Sequence, residues 1–266
     1  MTSKATEFID IGVNLAGRQF RHDWPAVVQQ AQAQGVAQIL ITGTDVVTSQ
    51  AGSAMALKHS GVLFSTAGIH PHRATDCSPE ALNTLRELAR ESHVVAIGEC
   101  GLDFNRMFSP QDAQETAFHQ QLELAAELGM PVFLHERDAF SRFADILAQW
   151  RPKLPGAVVH CFTGERKDME RYLELDCHIG VTGWVCDERR GAGLAELVPE
   201  IPDERLLIET DAPWLTPRTL KPRPKRNLPE YLPHIAERIA ELRGQSVEHV
   251  AQVSTENARR LFGMPD

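Results

Sequence analysis

The chain has 266 residues, 42% of them hydrophobic and 24% charged, enough apolar material for a sizeable soluble core. A formal net charge of -9 excludes a general nucleic-acid coat protein, which is basic overall, but leaves room for an enzyme that grips phosphates locally. Cys77, Cys100, Cys161, Cys177 and Cys186 are odd in number and lack CxxC spacing, which excludes a disulfide framework and a zinc ribbon and points to a reducing, cytoplasmic setting.

Residues 1–7 run straight into a strand without an apolar signal core, and no stretch approaches a membrane span. Short apolar runs then predict eight strands, at about 8–14, 37–44, 63–70, 94–100, 131–135, 156–161, 177–182 and 205–211. Helical spacing fills the intervals 24–34, 46–59, 79–92, 111–129, 139–150, 166–175 and 190–198. Ser78-Pro79 and Ser109-Pro110 place a capping serine before a proline at the first helical position, while Gly35, Gly61 and Gly129 mark helix ends. The prolines of 213–229 (Pro213, Pro217, Pro222, Pro224 and Pro229) predict a long loop after the eighth strand, followed by closing helices near 230–243 and 246–261. Strict alternation with eight strands predicts an α/β fold, a (β/α)8 TIM barrel, as one domain over residues 1–266.

Four potential metal ligands stand where apolar runs stop: Glu99, His135, His160 and Asp211. A barrel's C-terminal rim collects strand-end side chains from around the ring, so these can converge on one Mg, Mn or Zn ion at an open hydrolytic site. A lone strand-end histidine is more often structural; the joint placement of four donors carries the metal reading. His70 and His72, after the third strand, could polarise a phosphoryl oxygen or protonate a leaving oxygen, or else cap their loop. Asp103 has the parity of Glu99, but Gly101 between them can break the strand, leaving a loop-fixing role open. Arg137 and Asp138 can pair, with Arg137 also a phosphate candidate. Strand alternation points Cys100 and Cys161 away from the ligands, as inert buried thiols.

Arg218, Lys221, Arg223, Lys225 and Arg226 form the dense basic cluster of the chain, in the proline-rich loop just after Asp211. Such a loop can hold a polyanion backbone, although charge runs are often only solvated surface. Trp184 and Trp214, at the ends of the seventh and eighth strands, can stack bases or pack.

The runs Phe8-Ile9-Asp10-Ile11-Gly12-Val13-Asn14-Leu15, Gly68-Ile69-His70-Pro71-His72, Gly98-Glu99-Cys100-Gly101-Leu102-Asp103, Pro131-Val132-Phe133-Leu134-His135, Val159-His160-Cys161-Phe162-Thr163-Gly164 and Glu209-Thr210-Asp211-Ala212-Pro213 lie in an order that resembles the TatD family of metal-dependent deoxyribonucleases. The resemblance implies a barrel of the metallo-dependent hydrolase type that cleaves DNA phosphodiesters with a divalent cation, usually Mg2+. It implies Glu99, His135 and His160 as metal ligands and Asp211 as ligand or general base; beside them, the position of His70 after the third strand suits it to steady the phosphate or the leaving group. The substrate expected is a single-stranded DNA end, and RNA as a second substrate, attacked 3′ to 5′ by a cytoplasmic monomer in DNA repair or degradation. Where most of the family carries His-x-His on the first strand, this chain has Gly12 and Asn14. That departure predicts one metal position short of ligands, filled by a second cation only with substrate; histidines at both positions would create a tighter second site if the strand accepts side chains there, or bind metal and lose activity if the glycine keeps space for substrate. Two other classes remain: a barrel hydrolase acting on an ester or amide such as a misacylated tRNA, and a nucleic-acid-binding module without turnover.

Overall fold

The computed structural model describes residues 6–266; the segment 1–5, at the start of the stretch read above as leading into the first strand, lies outside the described residues. Eight strands, β1 (Phe8–Val13), β2 (Val36–Ile41), β3 (Leu63–Ala67), β4 (Val94–Asp103), β5 (Val132–Arg137), β6 (Ala157–Val159), β7 (His178–Val181) and β8 (Leu206–Ile208), pair in parallel and in sequence order. The ring closes where Val13 bridges Ala212, with Asn14 N–H donating to the Ala212 carbonyl at 2.8 Å and Asp211 N–H to that of Gly12 at 2.8 Å. Helices α1 (Trp24–Ala33), α2 (Val46–Lys58), α3 (Pro79–Leu88), α4 (Gln111–Leu128), α5 (Phe140–Trp150), α6 (Arg166–Glu174) and α7 (Ala192–Leu197) alternate with the strands, and α8 (Leu232–Arg243) and α9 (Val247–Phe262) close the chain. This is the eight-stranded TIM barrel that the alternation predicted.

Strand alternation sorts the buried residues into two cores. Ile9, Ile11, Leu40, Phe64, Val95, Phe133, Val158 and Leu207 fill the barrel, while most of the other apolar strand residues pack outward against the helices. The lower end is stoppered by α9 and the residues after it: Ala258, Phe262 and Met264 join the interior cluster, and Gln38 Nε2 donates to the Pro265 carbonyl at 3.1 Å. The upper end holds polar side chains.

Several boundaries differ from the sequence reading, each for a local reason. β4 runs through Gly101 to Asp103 instead of breaking there, so Asp103 is a buried strand-end residue. β6 and β8 stop after three residues, and Cys161 and Asp211 beyond them take left-handed backbone with φ of 47° and 54°. Alternation therefore no longer governs Cys161, which is half-buried beside the polar cluster, whereas Cys100 is buried in the outer core as expected. Ser78 caps α3 through the Ala81 N–H at 3.2 Å, but Ser109 does not cap α4: Pro110 is its N-cap and the Ser109 hydroxyl donates to the His72 carbonyl at 3.2 Å.

Candidate metal centre and active site

Glu99, 4% exposed, projects from β4 into the top of the barrel. Its Oε1 lies 3.0 Å from His135 Nδ1 on β5, 2.8 Å from His160 Nε2 just past β6, and 3.2 Å from His70 Nε2 just past β3. Three imidazoles from separate turns of the chain thus meet one carboxylate oxygen. Burial alone would raise the Glu99 carboxyl, but the neighbouring His160 and His70 and hydrogen bonds from His135 and His160 hold it well below the usual range. For His160 burial is opposed and outweighed by Glu99 and Glu209, which raise the ring well above an ordinary histidine. His135 is also raised, burial being outweighed by Asp103 and Glu99. His70 goes the other way: burial pushes it down to about 4 despite Glu99.

Hydrogen bonds on the far nitrogens separate the histidines further. His70 Nδ1 accepts the His72 N–H at 3.0 Å, so the neutral His70 ring carries its proton on Nε2 and presents a donor to the centre. His160 has the opposite arrangement, with Nδ1 3.3 Å from Glu209 Oε2, so a neutral ring protonated at Nδ1 presents the lone pair of Nε2. His135 Nε2 is buried without a hydrogen-bond partner among the described residues, 3.5 Å from Asp103 Oδ2. By distance the compact set is His70, Glu99 and His135, whose donor atoms lie within 4.8 Å of one another. By tautomer His160 is the better donor of a lone pair than His70.

Glu209 was missed by sequence reasoning, hidden as one more residue of the eighth strand. It is fully buried, and its Oε1 accepts the Cys161 N–H at 2.6 Å while Oε2 faces His160. Two glycines make room for it. A Cβ at Gly180 would come within 2.6 Å of Glu209 Oε1, and one at Gly12 would overlap Oε2. Histidines at 12 and 14 could therefore build a tighter second site only by displacing the Glu209 carboxylate, which already fills the space at position 12. Asn14 Nδ2 donates to Asp211 Oδ1 at 3.0 Å, so Asn14 orients the acid. Burial pushes the Asp211 carboxyl up to about 7, with His160 lowering it and Glu99 and Glu209 raising it. Asp10 anchors the same segment by accepting from Thr210 Oγ1 at 2.6 Å and Thr210 N–H at 2.9 Å.

Asp103 links the centre to its loops. Its Oδ2 is 2.5 Å from His72 Nε2, and its Oδ1 accepts the Asn105 and Arg106 N–H groups at 3.0 and 2.8 Å. Burial raises its carboxyl, but the neighbouring His135 and the hydrogen-bonded His72 dominate and hold it far below the usual range. Two buried glutamines of α4 fix these loops from behind. Gln121 bonds the Ile69 N–H and carbonyl at 2.8 and 3.0 Å, and Gln114 bonds those of Asp103 at 2.8 and 3.1 Å. The signal was present as polar residues seven apart on the apolar face of a helix. Asp138 accepts from Asn105 Nδ2 at 2.6 Å and not from Arg137, which is exposed.

The basic loop divides. Arg226 pairs with Asp23 at 2.6 Å and lies over the Phe20 ring, and Arg218 pairs with Asp187 at 2.8 Å. Lys221, Arg223 and Lys225 are exposed and form no ion pair among the described residues. The tryptophans divide as well. Trp184 packs on the outer core with Nε1 donating to the Arg190 carbonyl at 3.1 Å, whereas Trp214 is 54% exposed.

A sequence model of the family described as TatD related DNase matches residues 9–263. The chain belongs to the TatD family. A TatD relative from Pantoea sp. (strain At-9b), named 3′-5′ ssDNA/RNA exonuclease TatD, is 56% identical over 255 residues, 95% of this chain and 98% of the relative. A relative of the same name from Pantoea ananatis is 54% identical over 257 residues, 96% and 99% of the two chains. Among solved structures, a TatD homologue from Escherichia coli superposes with a TM-score of 0.87 at 29% identity, covering 98% of this chain and 99% of its own. The TatD membership is shared along the whole barrel, so it includes the loops that carry Glu99, His135, His160, Glu209 and Asp211.

Proposed function

We propose that this protein is a divalent-metal-dependent nuclease that hydrolyses single-stranded DNA and RNA from the 3′ end. The observation that carries this reading is the Glu99 carboxylate met by three histidines, with His160 Nδ1 held by Glu209 so that Nε2 is the nitrogen turned to the centre. The names of its TatD relatives supply the substrate class. The donor set fits a cation: a buried carboxylate, imidazole nitrogens around it, and a buried His135 nitrogen without a hydrogen-bond partner among the described residues. Glu99, His135 and His160 would hold it. Magnesium is the ion we favour, with manganese or zinc as alternatives.

A bound cation there supplies Lewis acidity toward a phosphate oxygen and toward the attacking water. Asp211, whose carboxyl is pushed up to about 7 by burial, is poised to accept a proton from that water near neutral pH. His70, neutral and protonated on Nε2, donates a hydrogen bond to a non-bridging oxygen or to the leaving oxygen. Asn14 and Asp10 hold Asp211 and its turn in place. Lys221, Arg223 and Lys225 neutralise backbone phosphates. We place the enzyme in the cytoplasm as a single-domain monomer that trims damaged or discarded nucleic acid.

The test is degradation of end-labelled single-stranded DNA and RNA oligonucleotides with a panel of divalent ions. Stepwise shortening from the 3′ end that stops on chelation is expected. Deacylation of charged tRNA with the terminal nucleotides intact would replace this reading with that of an ester hydrolase.

A further inference from the structure

Five large apolar side chains are exposed among the described residues, and three of them, Met107, Phe108 and Trp214, stand on loops at the C-terminal rim. Trp214 follows β8 and Phe108 follows β4; in a ring paired in sequence order those strands are four places apart, on opposite sides of the mouth. Single exposed apolar residues are ordinary on a protein surface. Phe108 is set apart by what it rests on. Its ring, 67% exposed, meets His72 edge to face with centroids 4.8 Å apart. His72 in turn bonds Asp103, and Asp103 reaches His135 beside Glu99. A solvent-facing aromatic surface is thereby held one histidine away from the centre where the phosphate is cut.

We propose that Phe108 stacks on the base of the terminal nucleotide, the one removed, while Trp214 and the cations after it hold the retained strand. This rests on the nuclease reading above. The two sides of the mouth differ in the way the two parts of the substrate differ. The retained strand carries successive phosphates, and Trp214 is followed on its own loop by Lys221, Arg223 and Lys225, three exposed cations within five residues. The terminal nucleotide has one base beyond the scissile phosphate, and the β4 side offers one aromatic ring beside the centre. Stacking on a ring needs only the π-face that every base has, so removal of any nucleotide in turn is compatible with it. A 3′ end already paired in a duplex has its terminal base stacked elsewhere, which accounts for a preference for single strands.

The experiment compares single-stranded oligonucleotides with a normal and an abasic 3′-terminal nucleotide. On the wild-type protein the abasic end should lower kcat/KM by roughly tenfold or more, the usual worth of one stacked base. Phe108→Ala should lower kcat/KM on the normal end by a similar factor and lose the distinction between the two ends. Phe108→Trp should restore it, and Trp214→Ala should weaken binding of both substrates while keeping it. A parallel binding measurement uses 2-aminopurine at the 3′ end, whose fluorescence should be quenched on the wild-type protein and not on Phe108→Ala. That signal reads stacking whether or not the bond is cut, so absence of hydrolysis would sink the nuclease reading alone. Full sensitivity to the terminal base in Phe108→Ala, its loss in Trp214→Ala, or equal quenching in wild type and Phe108→Ala would overturn the assignment.

Discussion

The two ends of the barrel solve opposite problems. At the lower end Phe262, Met264 and Ala258 slide under Ile9, Val95 and Leu207, and the interior is closed by apolar contact with a few polar ties such as Gln38 to Pro265. At the upper end Asp10, Glu99, Asp103, His160, Glu209 and Thr210 are all buried; Asp10 pairs with Thr210, His160 joins Glu99 to Glu209, and Asp103 is held by His72 and loop amides. Apolar contacts are many and individually small, so the lower end can forgo one and remain a barrel. Buried polar groups are few and mutually dependent, so altering one disturbs the placement of the donors around it while the apolar contacts that close the barrel remain. Stability should therefore track the lower end and chemistry the upper.

The sharpest separation comes from Glu99→Gln. It removes the charge on which His70, His135 and His160 converge, so cation affinity and hydrolysis should fall by more than the roughly 10–100-fold typical for loss of a ligand's outer partner. Thermal unfolding should change little by comparison. Near wild-type turnover at saturating magnesium would break the division.

Phe262→Ala probes the other end. Truncating this buried ring under the barrel should cost about 3–5 kcal/mol of unfolding free energy by chemical denaturation. Its kcat, measured well below the unfolding midpoint, should stay within about twofold, since ΔΔG at distant, independent sites does not propagate. A large drop in kcat with intact stability would show that the plug also shapes the rim.

Gly12→His sharpens the account of the upper end. A side chain at 12 must push Glu209 aside, which frees the His160 Nδ1 proton from its acceptor. We expect cation affinity, read by calorimetry, to fall by about 10–100-fold instead of a second tight site appearing. A second tight cation in the variant would restore the simpler view that position 12 is merely an absent ligand.

The smallest effect belongs to the loop. Joint neutralisation of Lys221, Arg223 and Lys225 should weaken oligonucleotide binding and reduce the salt slope by roughly 0.7 for each backbone phosphate that no longer meets a cation. Rates at saturating substrate should be nearly unchanged. Neutralising Arg218 and Arg226 should instead lower stability slightly, because their partners Asp187 and Asp23 lie within the protein. An unaltered salt slope in the triple variant would return the loop to plain solvated surface.

Much of this was legible along the chain. Eight apolar runs alternating with helical spacing state a barrel, because strand and helix periods are local properties of side-chain order. Glu99, His135, His160 and Asp211 could be singled out because a charged residue closing an apolar run has little reason to be there except to line the rim. Glu209 could not, since it sits two residues earlier in the same apolar run. The β4 strand passing through Gly101, the turn of Cys161 toward the polar cluster and the split of the basic loop into ion-paired arginines and solvent-facing cations were equally out of reach. Each depends on a neighbour distant in sequence: β5 for Asp103, Glu209 for Cys161, Asp23 and Asp187 for the arginines.

By itself the sequence determined the barrel, the end of it that carries chemistry and the family to which the chain belongs, because periodicity, punctuation and motif order are written residue by residue. Only the tertiary structure decided the roles within the centre. Which histidine offers a lone pair and which offers a proton depends on the group bonded to the far nitrogen of each ring: for His70 it is the His72 amide of its own turn, but for His160 it is Glu209, placed there by how strands close around a common axis. The same closure turned Gly12 from a missing ligand into the space that Glu209 occupies, a relation between strands one and eight that no local pattern records.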